Sequence, residues 1–181
     1  MAQQVVGLIG AGRMGMPIIG HLARAGFTTV VHDLSVGKRE EVEGKGATWA
    51  ASLEDLARRA EFVLICVGYD REVRELLADG GPLRELRAGA VVAILSTINP
   101  RTVQQLATQM QQRGVQVVDA TVTGGGSGAD QGALHSFVGG DAAVVARLTP
   151  VLRALSTDDR CRCVVALRIT LRVRHHCLPN D

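Results

Sequence analysis

The feature that most constrains this chain is a short apolar run that leads directly into a glycine-rich turn. Residues Val5–Ile9 form the run, and Gly10, Gly12 and Gly15 follow at the spacing G-x-G-x-x-G. This spacing lets a buried strand turn tightly into a helix, lets the backbone approach a pyrophosphate and allows close packing of helix on strand. The opening of the chain therefore predicts a strand–turn–helix unit that binds a dinucleotide through the N–H groups of its helix.

The residues after the turn support this interpretation. A helix is predicted from the spacing of Met14, Ile18 and Leu22, and a second strand from Thr28–His32. Asp33 ends that strand about 20 residues after the glycines, where a carboxylate would accept hydrogen bonds from an adenosine ribose. The alternative at this point is a structural glycine turn that binds no ligand.

The acid at the end of the second strand also bears on the choice of cofactor. A carboxylate at Asp33 would repel the 2′-phosphate of NADP, so the sequence favours NAD. Lys38 and Arg39 follow closely and leave NADP possible.

Strand and helix patterns alternate along the chain, which predicts an α/β fold of the Rossmann type with a doubly wound, mostly parallel sheet. Residues 62–67 and 90–95 are continuous apolar runs, typical of strands buried on both faces. Cys66, within the first run, is expected in the core. A helix is predicted at Asp70–Leu77, another is predicted to start at Asn99 and Pro100, and a strand at residues 115–118 is predicted to close at Asp119.

Composition excludes several other classes of protein. The formal net charge is only +2, and aromatic residues are 3% of the chain, so nucleic acid is not an expected partner. No apolar run approaches the roughly 18 residues of a membrane helix, and no basic-then-apolar start resembles a signal peptide. A cytoplasmic location without disulfides is therefore expected.

A second motif begins at Asp119, at the expected end of a strand. There a hydroxyl and two glycines, Thr123, Gly124 and Gly125, follow one another. Together they would offer backbone N–H groups and a side-chain oxygen to a carboxylate. A flexible turn with no ligand is the alternative for this motif considered alone.

Taken together, the motifs resemble the β-hydroxyacid dehydrogenase family, which includes 3-hydroxyisobutyrate dehydrogenase and, more distantly, 6-phosphogluconate dehydrogenase. The matching stretches are residues 7–17, 66–67, 96–100, 119–125, 128–129 and 132–134. The resemblance implies that the substrate carboxylate binds at Thr123, Gly124 and Gly125. It also implies the cofactor-binding residues Gly10, Gly12, Arg13, Met14, Gly15, Asp33, Val67 and Thr97. The family usually has Pro at position 121 and Ser at 123, whereas both are Thr here, so a softer and more crowded loop is expected.

The end of the chain departs from the family. Members continue into an all-helical domain, where a lysine acts as general acid/base; the resemblance places it near residues 168–173. This sequence has arginines there, and its only two lysines are Lys38 and Lys45. Arginine cannot exchange a proton near neutral pH, so no catalytic residue is identified. Residues 1–157 are predicted to be the dinucleotide-binding domain, and residues 158–181 an irregular, divergent or frameshifted tail that replaces the helical domain.

Two features of that tail suggest further structure. Residues 167–174 alternate between apolar and cationic or polar side chains, which would suit an edge strand. Cys161, Cys163 and Cys177 lie near two histidines, but their spacing fits no standard zinc site, so no metal is expected.

The sequence thus predicts an NAD(P)-dependent oxidoreductase of the 3-hydroxyacid dehydrogenase type, truncated and catalytically impaired as written. The alternatives are a non-catalytic dinucleotide-binding module or pseudogene fragment, and an imine-reductase relative, which Asp33 and the loop at Thr123 disfavour. The expected partner is a small hydroxy acid, without nucleic acid or membrane. Weak self-association is expected through apolar surface that the helical domain would cover.

Overall fold

A computed structural model describes residues 4–156 and the backbone of one short strand at residues 161–163. The strands are β1 (Val5–Ile9), β2 (Thr28–His32), β3 (Thr48–Trp49), β4 (Phe62–Ile65), β5 (Val91–Ile94), β6 (Gln116–Thr123), β7 (His135–Gly139) and β8 (Cys161–Cys163). The helices are α1 (Gly15–Arg24), α2 (Arg39–Gly44), α3 (Leu53–Arg59), α4 (Asp70–Leu77), α5 (Pro100–Gln111), α6 (Gly125–Gln131) and α7 (Ala142–Arg153).

The described strands form one sheet in the order β3-β2-β1-β4-β5-β6-β7-β8. The first six positions are parallel and have the 3-2-1-4-5-6 order of a Rossmann fold. β7 pairs antiparallel with β6, and β8 runs parallel to β7. The predicted doubly wound, mostly parallel sheet is confirmed.

Helices cover both faces of the sheet, which explains the continuous apolar runs. Residues of α1, α2, α6 and α7 share one core with the sheet, and residues of α3, α4 and α5 share the other. In β4, Phe62 and Leu64 face the first core, while Val63 and Ile65 face the second, and all four are buried. A strand packed in this way has no polar side and therefore shows no alternation.

Two helix starts follow from capping residues in the sequence. The Ser52 hydroxyl accepts a hydrogen bond from the Asp55 N–H at the start of α3. Asn99 accepts one from the Arg101 N–H at the start of α5, and Pro100 fills the first helical position, where no N–H is needed. These caps fix where the loops after β3 and β5 end.

The prediction that a strand closes at Asp119 is wrong, because β6 continues to Thr123. The added length pairs with β7, placing Asp119 opposite Gly139 and Thr123 opposite His135. The second motif is therefore mostly strand, and its loop is confined to the turn into α6.

The predictions for the end of the chain concern residues that lie outside the described part, apart from the backbone of β8. These are the possible edge strand at 167–174, the lysine position near 168–173 and the cysteine–histidine cluster. Within residues 4–156, no helix is long and apolar enough to cross a membrane. The same residues contain no group of histidine, cysteine and acidic side chains that could hold a metal ion.

Candidate dinucleotide-binding site

A cleft of about 410 Å³ opens at the carboxyl ends of β1, β2 and β4. β1 lies between β2 and β4, so the connections that leave it diverge to opposite sides of the sheet. Ligands of open α/β sheets bind at such a switch point. The cleft is lined by Ile9, Gly10, Gly12, His32, Asp33, Leu34, Leu53, Cys66, Val67, Gly68, Glu72, Glu75, Leu76 and Pro82.

Two glycines of the turn are required by the fold itself. Gly10 has φ +97°, and a Cβ there would collide with the Cys66 carbonyl. The Gly10 N–H donates to the His32 carbonyl oxygen at 3.0 Å, which ties the turn to β2. A Cβ on Gly15 would collide with the Gly10 carbonyl, so α1 packs against the turn only because that side chain is missing.

The middle glycine differs from these two. Gly12 is exposed, its φ is outside the left-handed region, and a Cβ there would meet no atom within 4 Å. Packing and backbone conformation therefore do not explain why this position lacks a side chain. A pyrophosphate bound at the start of α1 would require a position without a side chain, because such a ligand approaches the backbone closely.

Asp33 lies at the end of β2 and faces the glycine turn. One carboxylate oxygen accepts the Ala11 N–H at 2.7 Å, and the other accepts the Ser35 N–H at 2.8 Å. Lys38 Nζ lies 3.2 Å from both oxygens. Burial opposes ionisation of this carboxyl group, but the hydrogen bonds from Ser35, Ala11 and Lys38 outweigh it and hold its pKa below the usual value.

Lys38 and Arg39, the two basic residues that left NADP possible, have different ion-pair partners. Lys38 forms an ion pair with Asp33, whose side chain is only 12% exposed. Arg39 instead pairs with Glu43 at 2.9 Å, one turn along α2. Lys38 therefore offsets part of the negative charge that would repel a 2′-phosphate.

A buried hydroxyl joins the loops that follow β4 and β5. Ser96 Oγ accepts the Val67 N–H at 3.0 Å and donates to the Val67 carbonyl oxygen at 2.7 Å. Val67 lines the cleft, and Thr97 is exposed on the next loop, directly after Ser96. Ser96 belongs to a stretch that resembles the family, but the sequence alone does not reveal this role.

Asp70, at the start of α4, binds the far end of the loop that follows β5. One Asp70 carboxylate oxygen accepts the Asn99 N–H at 3.1 Å, and the other accepts the Thr102 hydroxyl at 3.1 Å. The segment between Ser96 and Asn99 is thus anchored at both ends.

The residues predicted to bind a carboxylate lie where β6 turns into α6: Thr123 ends β6, Gly124 forms the turn and Gly125 begins α6. Thr123, Gly124 and Gly125 are all exposed, and the two glycines have φ of +126° and +61°. A non-glycine residue would be strained at either position, so the turn depends on both. α6 then packs against α1, where His21 Nε2 lies 2.8 Å from the Ala129 carbonyl oxygen.

The cleft brings together four of the predicted cofactor residues, namely Gly10, Gly12, Asp33 and Val67. The other four lie outside its lining. Arg13 and Thr97 are exposed, Met14 is half-buried against the core, and Gly15 is buried.

Several lining residues were missed. The apolar side chains of Leu34, Leu53, Leu76 and Pro82 come from four separate loops and helices, and no local pattern marks them. Cys66 was expected in the core, but it is only half-buried and lines the cleft. Burial still raises the pKa of its thiol to about 11.

The family model described as the NAD binding domain of 6-phosphogluconate dehydrogenase matches residues 5–167. The chain belongs to this family. An NAD-dependent L-serine dehydrogenase of Pseudomonas aeruginosa is 32% identical over 84% of this chain and 52% of its own length. The crystal structure of a 3-hydroxyisobutyrate dehydrogenase from Salmonella typhimurium superposes with a TM-score of 0.79 at 30% identity, covering 85% of this chain and 54% of that one.

Imine reductases share the same fold. A variant of the Myxococcus stipitatus enzyme in complex with NAD+ has a TM-score of 0.76 and 25% identity, over 84% of this chain and 52% of that one. The enzyme is also known in complex with NADP+. The chain spans about half the length of the relatives it matches.

Proposed function

We propose that this chain is the dinucleotide-binding half of an NAD(P)-dependent 3-hydroxyacid dehydrogenase. Gly10, Gly12 and Gly15 would hold the pyrophosphate, Asp33 the adenosine ribose, and Val67 and Thr97 the path towards the nicotinamide. When bound, the nicotinamide supplies or accepts the hydride. Thr123, Gly124 and Gly125 would bind the carboxylate of a small hydroxy acid.

The observation that carries this proposal is that Gly12 lines the cleft, although neither packing nor backbone conformation requires a glycine there. A purely structural glycine turn needs Gly10 and Gly15 but places no demand on Gly12. A bound pyrophosphate does, because a side chain there would project towards the phosphates. Asp33 supports the proposal, since its ionised carboxylate faces the same turn.

Titration of the purified chain with NADH, followed by fluorescence, tests the proposal. We expect saturable binding that a Gly12→Val substitution weakens by roughly tenfold or more, the scale of a lost pyrophosphate approach. Gly44→Val is the matched control, because a Cβ at Gly44 also meets nothing within 4 Å and this glycine lies on α2, outside the cleft. A folded sample that binds neither NADH nor NADPH would overturn the proposal.

The second candidate is a non-catalytic dinucleotide-binding module. This candidate is favoured because neither of the two lysines is placed to act as the family's general acid/base. Lys38 is paired with Asp33, and Lys45 is exposed at the end of α2. An imine-reductase relative is less favoured, since Asp33 and the hydroxyl–glycine loop suit a ribose and a carboxylate. A change in NADH affinity caused by a 3-hydroxy acid, but not by a cyclic imine, would favour the dehydrogenase over the imine-reductase candidate.

The proposal includes four further expectations from the sequence. They are a cytoplasmic location, weak self-association, a tail that begins near residue 158, and little turnover by the chain alone. Four large apolar side chains are well exposed among the described residues, namely Leu34, Val36, Tyr69 and Phe137. Sizing at increasing concentration would test self-association, and a sharp monomer peak would contradict it.

A further inference from the structure

Arg13 lies between the two motifs that are proposed to bind ligands. It belongs to the glycine turn, yet its side chain extends to the start of α6. A Cβ placed on Gly126 would come within 2.5 Å of Arg13 Nε and 3.3 Å of its Cζ. The guanidinium therefore lies against Gly126, the residue that directly follows the loop from Thr123 to Gly125.

This juxtaposition is fixed by further contacts between α1 and α6. Arg24 Nη2 lies 2.8 Å from His21 Nδ1, and because a guanidinium only donates, Nδ1 must accept. The other ring nitrogen, Nε2, therefore carries the proton and donates to the Ala129 carbonyl oxygen. Gly132, with φ +63°, fits against the same ring, since a Cβ there would lie 2.7 Å from His21 Cε1. α6 is thus held in place on the helix that follows the glycine turn.

Without Arg13, no positive charge of these two motifs would offset a carboxylate bound beside the pyrophosphate. Thr123, Gly124 and Gly125 offer only neutral donors to a carboxylate. A dinucleotide pyrophosphate on the glycine turn would add negative charge nearby and repel that carboxylate. A guanidinium between the two anions offsets the repulsion and can donate to a carboxylate in a planar, paired geometry.

We infer that Arg13 is a specificity-determining residue that binds the substrate carboxylate and couples it to the dinucleotide. This inference rests on the proposed function, and it assigns the substrate's acid group to a residue of the cofactor turn. Carboxylate and dinucleotide should therefore each raise the affinity for the other, because such coupling is reciprocal.

The test measures the NADH dissociation constant with and without 3-hydroxypropionate, and with the uncharged analogue 1,3-propanediol. We expect 3-hydroxypropionate to tighten NADH binding by the unaltered chain. In the Arg13→Met variant, the NADH dissociation constant with 3-hydroxypropionate, divided by the constant without it, should rise at least about fivefold, the lower end of typical couplings. Arg13 is exposed, so unfolding temperatures should be unaffected.

Two alanine variants of α6 separate the position of the guanidinium from its presence. Gly126→Ala keeps the charge but pushes it away, so it should lose part of the coupling. Gly128→Ala is the matched control, because its Cβ would make only ordinary contacts at 3.6 Å with Ala133 and Leu134, and none with Arg13. This variant should behave like the unaltered chain.

The outcomes are distinguishable. If NADH does not bind at all, the proposed function fails. If NADH binds but 3-hydroxypropionate has no effect, or has the same effect in the Arg13→Met variant, the inference about Arg13 is overturned while the proposed function stands. An equal effect of 1,3-propanediol would also overturn it, because the coupling would then not depend on the carboxylate.

Discussion

The carboxylate of Asp33 is held in place by neighbouring groups of the protein. Two backbone N–H groups and the Lys38 ammonium surround its carboxylate, so both its charge and its orientation are set by the fold. Sequence spacing alone predicted this acid, because it ends a recognisable strand after the glycine turn. The ion pair with Lys38 could not be predicted, since Arg39 was an equally good candidate from the sequence.

The fixed charge of Asp33 should set the preference between the two cofactors. We expect the chain to bind NADH more tightly than NADPH, and Asp33→Asn to narrow that difference roughly tenfold, as expected when one close like charge is removed. Lys38→Met should widen the difference, because the carboxylate would then be uncompensated. Arg39→Met should change neither constant, since Arg39 pairs with Glu43. Parallel fluorescence titrations measure this, and equal ratios in all four proteins would contradict it.

Asp33 should also make the fold sensitive to acid. Its folded pKa is lower than the ordinary value of 3.8, so its ionised form stabilises the native state. That stabilisation is complete above about pH 5, where the carboxyl is also ionised in the unfolded chain, and is lost as pH falls through the lowered pKa. The free energy of unfolding, measured by urea denaturation from pH 6 downwards, should fall more for the unaltered chain than for Asp33→Asn. Taking this difference isolates Asp33 from Asp70, whose pKa is also lowered. Parallel pH profiles for the two proteins would contradict the prediction.

At the scale of elements, the loops after β4 and β5 act together through Ser96. Its hydroxyl accepts from the N–H and donates to the carbonyl of Val67, so the lining of the cleft depends on a side chain from the loop after the neighbouring strand. Ser96→Ala would leave the Val67 N–H without this partner, which costs about 1–3 kcal/mol if the group stays in place. The loop should instead shift, and NADH affinity should fall by roughly fivefold or more.

The control for Ser96 is a hydroxyl with the same kind of bond far from the cleft. Thr149 donates to the Val145 carbonyl oxygen at 2.8 Å within α7, so Thr149→Val removes one hydroxyl bond without touching the site. Its NADH affinity should be unchanged. If Ser96→Ala and Thr149→Val bind NADH equally well, Ser96 does not position the cleft.

The end of β6 was predicted four residues too early, although its sequence carries a strand pattern. From Val118 to Thr123 the residues alternate between apolar and polar, and in the structure Val118 and Ala120 are buried while Thr123 is exposed. This period of two is typical of a strand with one buried face, so the signal was available. The glycines that follow are typical of a loop and therefore favour an earlier end to the strand. The pairing with β7, which explains the strand's length, is not local and could not be read from this segment alone.

For the molecule as a whole, the order of alternating strands and helices was enough to predict the sheet. Parallel strands need helical crossovers, and those crossovers are right-handed, so few arrangements fit the pattern. The cleft lining includes four of the eight predicted cofactor residues. Backbone turns and strand ends lie where the fold places them, whereas the apolar lining comes from Leu34, Leu53, Leu76 and Pro82, which are distant in sequence.

The final prediction separates binding from turnover in the whole chain. A ligand that binds only the folded state at 100 times its dissociation constant stabilises it by about 2.7 kcal/mol. For a chain of this size NADH should therefore raise the unfolding temperature by roughly 5–11 °C. Oxidation of 3-hydroxypropionate with NAD+ also requires a group that takes the hydroxyl proton, and Lys38 is already paired with Asp33. We therefore expect the thermal shift without turnover above background in an absorbance assay. NADH production that Gly12→Val abolishes and Gly44→Val preserves would contradict this, because it would require a proton acceptor within this chain that is not a lysine of the family type.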